Sequence, residues 1–171
     1  MRNILLYALL ALLPAMASGQ SKYITQFYNH YKAQEEVTNL NLRGFVLSLA
    51  STFTDDKDAK KILRKVSHLR LLMMEDENLV SPQQYTSLIR GIKSDHFEEL
   101  MMLREENQRI EFFLREEGET ITDVLMLLHG DGEFLMLSLE GALKFSDLNN
   151  LKLDIDGGEH FSKIPDRKPK A

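Results

Sequence analysis

The chain has 171 residues and no cysteine. That excludes a disulfide framework, thiol catalysis and a cysteine-ligated metal. It also removes the lipid-bearing cysteine that anchored exported proteins carry after an apolar leader. Long apolar runs are nearly absent as well. The longest, Ile4 to Leu13, covers ten residues, and a bilayer span needs about 20. Basic residues are outnumbered, 21 Lys and Arg against 26 Asp and Glu, for a net charge of −5. Nucleic acid is therefore not an expected partner, because phosphate contacts need clustered Lys and Arg. The one basic cluster, "KIPDRKPKA" at the end, is short and carries Asp166. No glycine-rich phosphate loop occurs, and "SLEGALKFSD" only approaches a G-x-S-x-G elbow in composition.

What is present begins with a leader. Arg2 supplies a positive charge, the apolar run follows, Pro14 ends it, and "AMASGQ" brings small residues. A short apolar core ahead of small residues predicts a cleavable secretory signal over residues 1–19, cut after Ala17 or after Gly19. Residues 20–153 are expected to form a single α+β domain. Residues 154–171, with little apolar content and two prolines, read as a flexible C-terminal tail. A soluble periplasmic or extracellular location follows. At 43% hydrophobic and 27% charged residues, the composition suits an ordinary globular domain. A chain of this size buries roughly 70% of its unfolded surface and needs no metal or disulfide to fold.

Periodicity places the elements. Tyr23, Phe27 and Tyr31 recur every four residues, with Ile24 and Tyr28 beside them, which is one stripe of an amphipathic helix. "VTNLNLRG" reads as a strand, while "FVLSLAS" is too short and uniform to type. "DDKDAKKILRKVSHL" reads as a helix capped at Asp55 or Asp56, with Ile62, Leu63 and Val66 as its apolar face. "LRLLMMED" reads as a buried strand. "SPQQYTSLIRGI" starts a helix with Ser81 as N-cap and Pro82 at the first helical position. Four strands follow, over 97–105, 109–116, 121–129 and 133–140, joined by hairpin-length connections. "KFSDLNNLKL" adds a short helix capped by Ser146. The fold class is therefore α+β, with N-terminal helices alternating with strands, then a four-stranded antiparallel meander in a single sheet with packed helices.

The stretch "MLLHGDGEFLMLSLEG" brings His129, Asp131 and Glu133 within five residues. These are residue types of a metal or acid–base site. Asp131-Gly132 between apolar runs is, however, the strongest short hairpin signal, because a type I′ turn needs positive φ at both central residues. A turn is expected, with His129 opposite Phe134 and the polar side chains dispensable. The other histidines, His30, His68, His96 and His160, have no partner at i, i+4 spacing, so surface or turn positions are expected. The methionines Met73, Met74, Met101, Met102, Met126 and Met136 raise copper(I), which favours thioethers. Adjacent strand residues point to opposite faces, and the hairpin register sends Met126 and Met136 to opposite sides, so core filling is expected. The acidic pairs Glu98-Glu99, Glu105-Glu106 and Glu116-Glu117 read as solvated strand ends. No catalytic, cofactor-binding or metal-binding residue is singled out, and no cofactor is expected.

Strands 124–128 and 134–137 are apolar at consecutive positions, where a half-exposed strand should alternate. Either helices cover both faces, or a partner covers one. "DDKDAKKILRKVSHLRLLMMED", "FEELMMLREENQRIEFFLRE" and "ITDVLMLLHGDGEFLMLSLEGALKFSDLNNL", in this order behind an export signal, resemble the DUF4252 family of exported proteins, found mainly in Bacteroidetes, over residues 22–151. Many members carry a lipoprotein cysteine that this chain lacks. The resemblance implies fold and location and transfers no activity and no site residue. The expected function is a non-enzymatic protein-interaction module of the cell envelope, meeting an envelope protein or a second copy through an apolar sheet face, with no stable membrane span after signal cleavage. The alternative is a small-ligand-binding protein or enzyme with a pocket between helices and sheet.

Overall fold

Ten residues beginning at Lys22 carry the aromatic stripe, and they form helix α1, Lys22–Tyr31, with Ile24, Phe27, Tyr28 and Tyr31 buried. The computed structural model describes residues 21–53, 57–105, 107–130, 132–151 and 157–165. The expected signal segment and the caps Asp55 and Asp56 lie outside them. After α1 come β1 (Thr38–Arg43), α2 (Gly44–Phe53), α3 (Lys57–Lys65), β2 (Val66–Met74), α4 (Pro82–Ser94), β3 (Glu98–Glu105), β4 (Gln108–Glu117), β5 (Thr120–Gly130), β6 (Glu133–Leu143), α5 (Phe145–Asn149) and a 3-10 helix, Gly158–Lys163. Among the described residues no helix is long and apolar enough to cross a membrane.

The expected four-stranded meander is part of a larger sheet. Six antiparallel strands run in the order β1-β2-β6-β5-β4-β3. The two N-terminal strands join along β6, a pairing between distant segments that no local pattern announces. Val66 is not on the helix face: it opens β2, opposite Gly141. The untyped "FVLSLAS" lies in α2, whose uniform apolar sequence hides its period. α4 has the expected start. Ser81 caps it, Gln84 N–H donates to Ser81 Oγ, Gln84 Oε1 accepts from Ser81 N–H, and Pro82 takes the first turn. α5 begins two residues earlier than expected, with Lys144 rather than Ser146 at the cap, because the Asp147 carboxylate accepts from Lys144 N–H at 2.8 Å.

The continuous apolar runs of β5 and β6 are explained by helices on both sides. On one face Leu125, Leu127, Phe134 and Met136 pack under α1 and α4, through Ile24, Phe27, Tyr28, Leu88 and Ile92. On the other face Val124, Met126, Leu128, Leu135 and Leu137 pack with Leu47 of α2, Ile62 of α3, Leu148 of α5 and Phe161. Met126 and Met136 do take opposite faces, and both are buried. Met102 departs from core filling: it is exposed on β3, an outer strand where no neighbour closes over it. The hairpin pairs Gly130 with Glu133 and His129 with Phe134, a two-residue turn as expected. Asp131 lies outside the described residues, and Gly132 stands at φ 82°, a conformation that glycine adopts without strain.

Within the segment expected as a flexible tail from residue 154, residues 157–165 fold onto the core. Gly158, His160, Phe161 and Ile164 are buried, and the Phe161 ring meets Phe112 edge-on at 5.0 Å between centroids. Gly157 allows this approach: its φ is 74°, and a Cβ there would press on the end of Met126 at 2.6 Å. One aromatic among glycines and charges anchors the segment, and composition averaged over the stretch conceals it. Phe161→Ala should cost about 3–5 kcal/mol, as for other buried aromatics. Chemical denaturation checks this; a loose tail would give a change within about 0.5 kcal/mol.

Candidate functional site

The sheet face beneath α1 and α4 carries a polar row beyond the apolar centre. Strand register places Arg43, His68, Glu140, Asp123 and Arg115 side by side across five strands, β1, β2, β6, β5 and β4. Arg70 Nη1 donates to Glu140 Oε1 at 2.7 Å. Arg115 Nε and Thr122 Oγ1 both donate to Asp123 Oδ2, at 2.8 and 2.7 Å. The Arg115 guanidinium also lies 5.3 Å from the Phe97 ring centre, within cation–π range. His68 Nε2 stands 2.7 Å from Asn41 Oδ1, and its Nδ1 stands 3.6 Å from Glu140. His68, Arg70 and Asp123 are buried. Burial, then the nearby Arg70 and Arg43, lowers the His68 pKa to about 4.

A hollow of about 310 Å³ opens beside this row, lined by Lys65, Ser67, Arg115, Thr122, Asp123 and Glu140 among others. Its charges are already engaged. Lys65 Nζ pairs with Asp147 at 2.6 Å, Arg115 with Asp123, and Glu140 with Arg70. Buried ions held in pairs need that pairing to offset desolvation. The row therefore acts as a set of cross-strand ties.

At the other end of the same face lies a second cluster. Arg109 Nη2 donates to Glu111 Oε1 at 2.7 Å. Glu111 Oε2 and His129 Nε2 face each other at 3.8 Å, and neither has a hydrogen-bond partner. The Tyr85 ring lies 4.6 Å from that of His129, and its hydroxyl is likewise without a partner. Burial raises the Glu111 pKa. Burial, then Arg109, lowers that of His129. A protonatable carboxyl beside a neutral imidazole is an acid–base pair in composition, but 3.8 Å exceeds a hydrogen bond. His129 stands beside the turn, opposite Phe134, as expected, and its ring also packs against Tyr85 between α4 and the sheet.

The histidines divide further. His30 and His96 are exposed, as expected. His68 and His160 are buried, against expectation, because the start of β2 and the 3-10 helix pack inward. His160 Nε2 lies 3.0 Å from Glu159 and 3.7 Å from Glu105. Glu98, Glu99, Glu105 and Glu117 are exposed strand-end residues, Glu116 is half-buried, and Glu106 lies outside the described residues. Among the described residues no group of three or more His, Cys, Asp or Glu side chains is placed to hold a metal ion. Sequence reading missed Glu111, Asp123, Arg70 and Glu140. The available signal was a charged residue inside an apolar strand; of the four, Asp123 alone has an opposite charge, Arg115, at the matching register of a neighbouring strand.

Two further surfaces stand out. One is a groove of about 370 Å³ between α1 and α4, floored by Phe27, Tyr31 and Leu88. The other is an apolar corner where β1 turns into α2: Leu40 is 41% exposed, Phe45 76% and Val46 45%. The family model described as a domain of unknown function, DUF4252, matches residues 31–151, beginning at residue 31 rather than 22. No curated protein and no solved structure matches the chain.

The His68 shift sets a pH dependence. Its folded pKa lies below the unfolded value of 6.5, so the unfolded chain binds the proton more readily. Stability from this group is intact above about pH 6.5 and is lost as pH falls toward 4, by an amount approaching about 3 kcal/mol. Urea titrations at several pH values should show this loss, and His68→Gln should flatten the slope in that window.

Proposed function

The chain belongs to the DUF4252 family, whose description assigns no function, and we propose that it is a non-enzymatic protein-interaction module of the cell envelope, exported by the 1–19 leader and docking a partner protein at the β1–α2 corner. The observation that carries this is Phe45, the most exposed of the large apolar side chains among the described residues, with the exposed Val46 next to it and Leu40 on the preceding strand. β1 is an outer strand, and on its Leu40 face the half-buried Leu42, Leu69, Leu71 and Met73 extend the apolar surface. The α2 sequence, "GFVLSLASTF", contains no charged residue. A helix at the surface ordinarily keeps a polar outer stripe, and contiguous exposed apolar side chains mark partner sites. Covering each one stabilises a complex by roughly 1.5–3 kcal/mol before association costs.

The location of this surface differs from the apolar sheet face expected from sequence, since β5 and β6 are covered by the chain's own helices. Binding is favoured over catalysis by the state of the charges: at the polar row and its hollow Arg70, Arg115 and Lys65 are all engaged by carboxylates.

Phe45→Asp should leave stability within about 0.5 kcal/mol, as for an exposed site, and should abolish crosslinking to a partner captured from native envelopes by the unaltered protein. Capture that survives Phe45→Asp, or recovery of monomer alone from both proteins, would sink the reading.

A further inference from the structure

We infer that the groove between α1 and α4 is a binding site for an uncharged saccharide. The two helices meet closely because residue 91 is glycine. A Cβ there would collide with the Tyr23 ring, at 2.4 Å from its Cγ. Ser21 Oγ donates to Asp95 Oδ2 at 2.7 Å and fastens the same ends of the pair. At the other end Gln84, held by the α4 cap, reaches His30, with Nε2 to Nε2 at 3.2 Å. Between these two ties the helices leave a hollow of about 370 Å³, within the size range of small-ligand sites, roughly 300–1,000 Å³.

The lining decides the ligand class. Among the described residues no Lys, Arg, Asp or Glu lines the groove, and the nearest cation, Lys22, is engaged over the Tyr23 ring at 5.0 Å, so a charged ligand would find little counter-charge there. The half-buried Tyr23 ring, with the edges of the buried Phe27 and Tyr31, supplies aromatic surface, and Gln26, Gln83 and Ser87 supply neutral donors and acceptors on the two rims. Sugars present this combination: apolar C–H faces that lie on aromatic rings, and a periphery of hydroxyls that both donate and accept. Gln26, Gln83 and Ser87 are exposed and available to a ligand. Tyr31 gives an independent indication. It is only 3% exposed and lines the groove, yet its hydroxyl has no hydrogen-bond partner. A buried hydroxyl without a partner is costly, and a small turn of the ring toward the groove would bring it within reach of a sugar hydroxyl. An aliphatic ligand would leave that hydroxyl and the amide rims unused.

Titration calorimetry and amide chemical-shift mapping on the full mature chain test this with three neutral probes, chitotriose, cellotriose and maltotriose, and one charged control, trigalacturonate. At least one neutral probe should bind and shift amides of residues 23–31 and 83–88, while the charged control should not. Tyr31→Phe should weaken that binding about threefold to tenfold, the effect of one hydrogen bond. Gln26→Ala should weaken it similarly with the fold unchanged. Phe45→Asp should leave it intact, which separates this site from the proposed protein-docking corner. No binding of any neutral probe up to roughly 10 mM overturns the inference. So does binding that Tyr31→Phe and Gln26→Ala both leave unchanged, or tighter binding of the charged control.

Discussion

Everything in this structure depends on keeping two strands dry on both faces. Leu125, Leu127, Phe134 and Met136 point one way from β5 and β6, and Val124, Met126, Leu128, Leu135 and Leu137 point the other. Neither side can be left to water, since each of these side chains contributes roughly 1.5–3 kcal/mol only when buried. The chain meets the demand with two unequal layers. α1 and α4 cover one side, while α2, α3, α5 and the C-terminal 3-10 helix share the other. The helices reach inward only as far as the apolar centre extends. Toward the ends of the covered strands, charged residues replace apolar ones, and the ion pairs of the polar row take over.

That arrangement explains which charged groups are paired. Glu140 and Asp123 sit directly opposite each other on neighbouring strands. Two carboxylates so placed repel unless each has its own cation, and Arg70 and Arg115 supply them from the strands outside. Glu111 at the other end has a similar guanidinium partner in Arg109 on its own strand. It lacks a second partner for Oε2, which is why burial pushes its pKa up.

Much of the local structure was legible in the sequence. The hairpin at Gly132, the cap at Ser81 and Pro82, and the stripe of Tyr23, Phe27 and Tyr31 are short-range signals with direct physical causes. The pairing of β2 with β6 was not legible, because residues 66–74 and 134–141 lie far apart in the chain and either strand would suit several neighbours. For the same reason the polar row was invisible: its five members come from five strands. α2 was hidden by a composition too uniform to show a period, and Phe161 by a stretch otherwise poor in apolar residues. The groove needed both α1 and α4 in place, so no single segment carried its signal.

The strand order has a consequence for the time course of synthesis. A ribosome delivers β1 and β2 first, and they can form a two-stranded ribbon by themselves. An isolated ribbon of this kind is marginal in water. The inner edge of β2 waits for β6, the last of these six strands to be made. The chain must therefore emerge beyond Leu143 before its earliest strands have a lasting neighbour. Until then β2 offers Leu72 and Met74, together with a row of open backbone groups, to whatever lies nearby. A nascent chain arrested before β6 is in the state most exposed to wrong pairing.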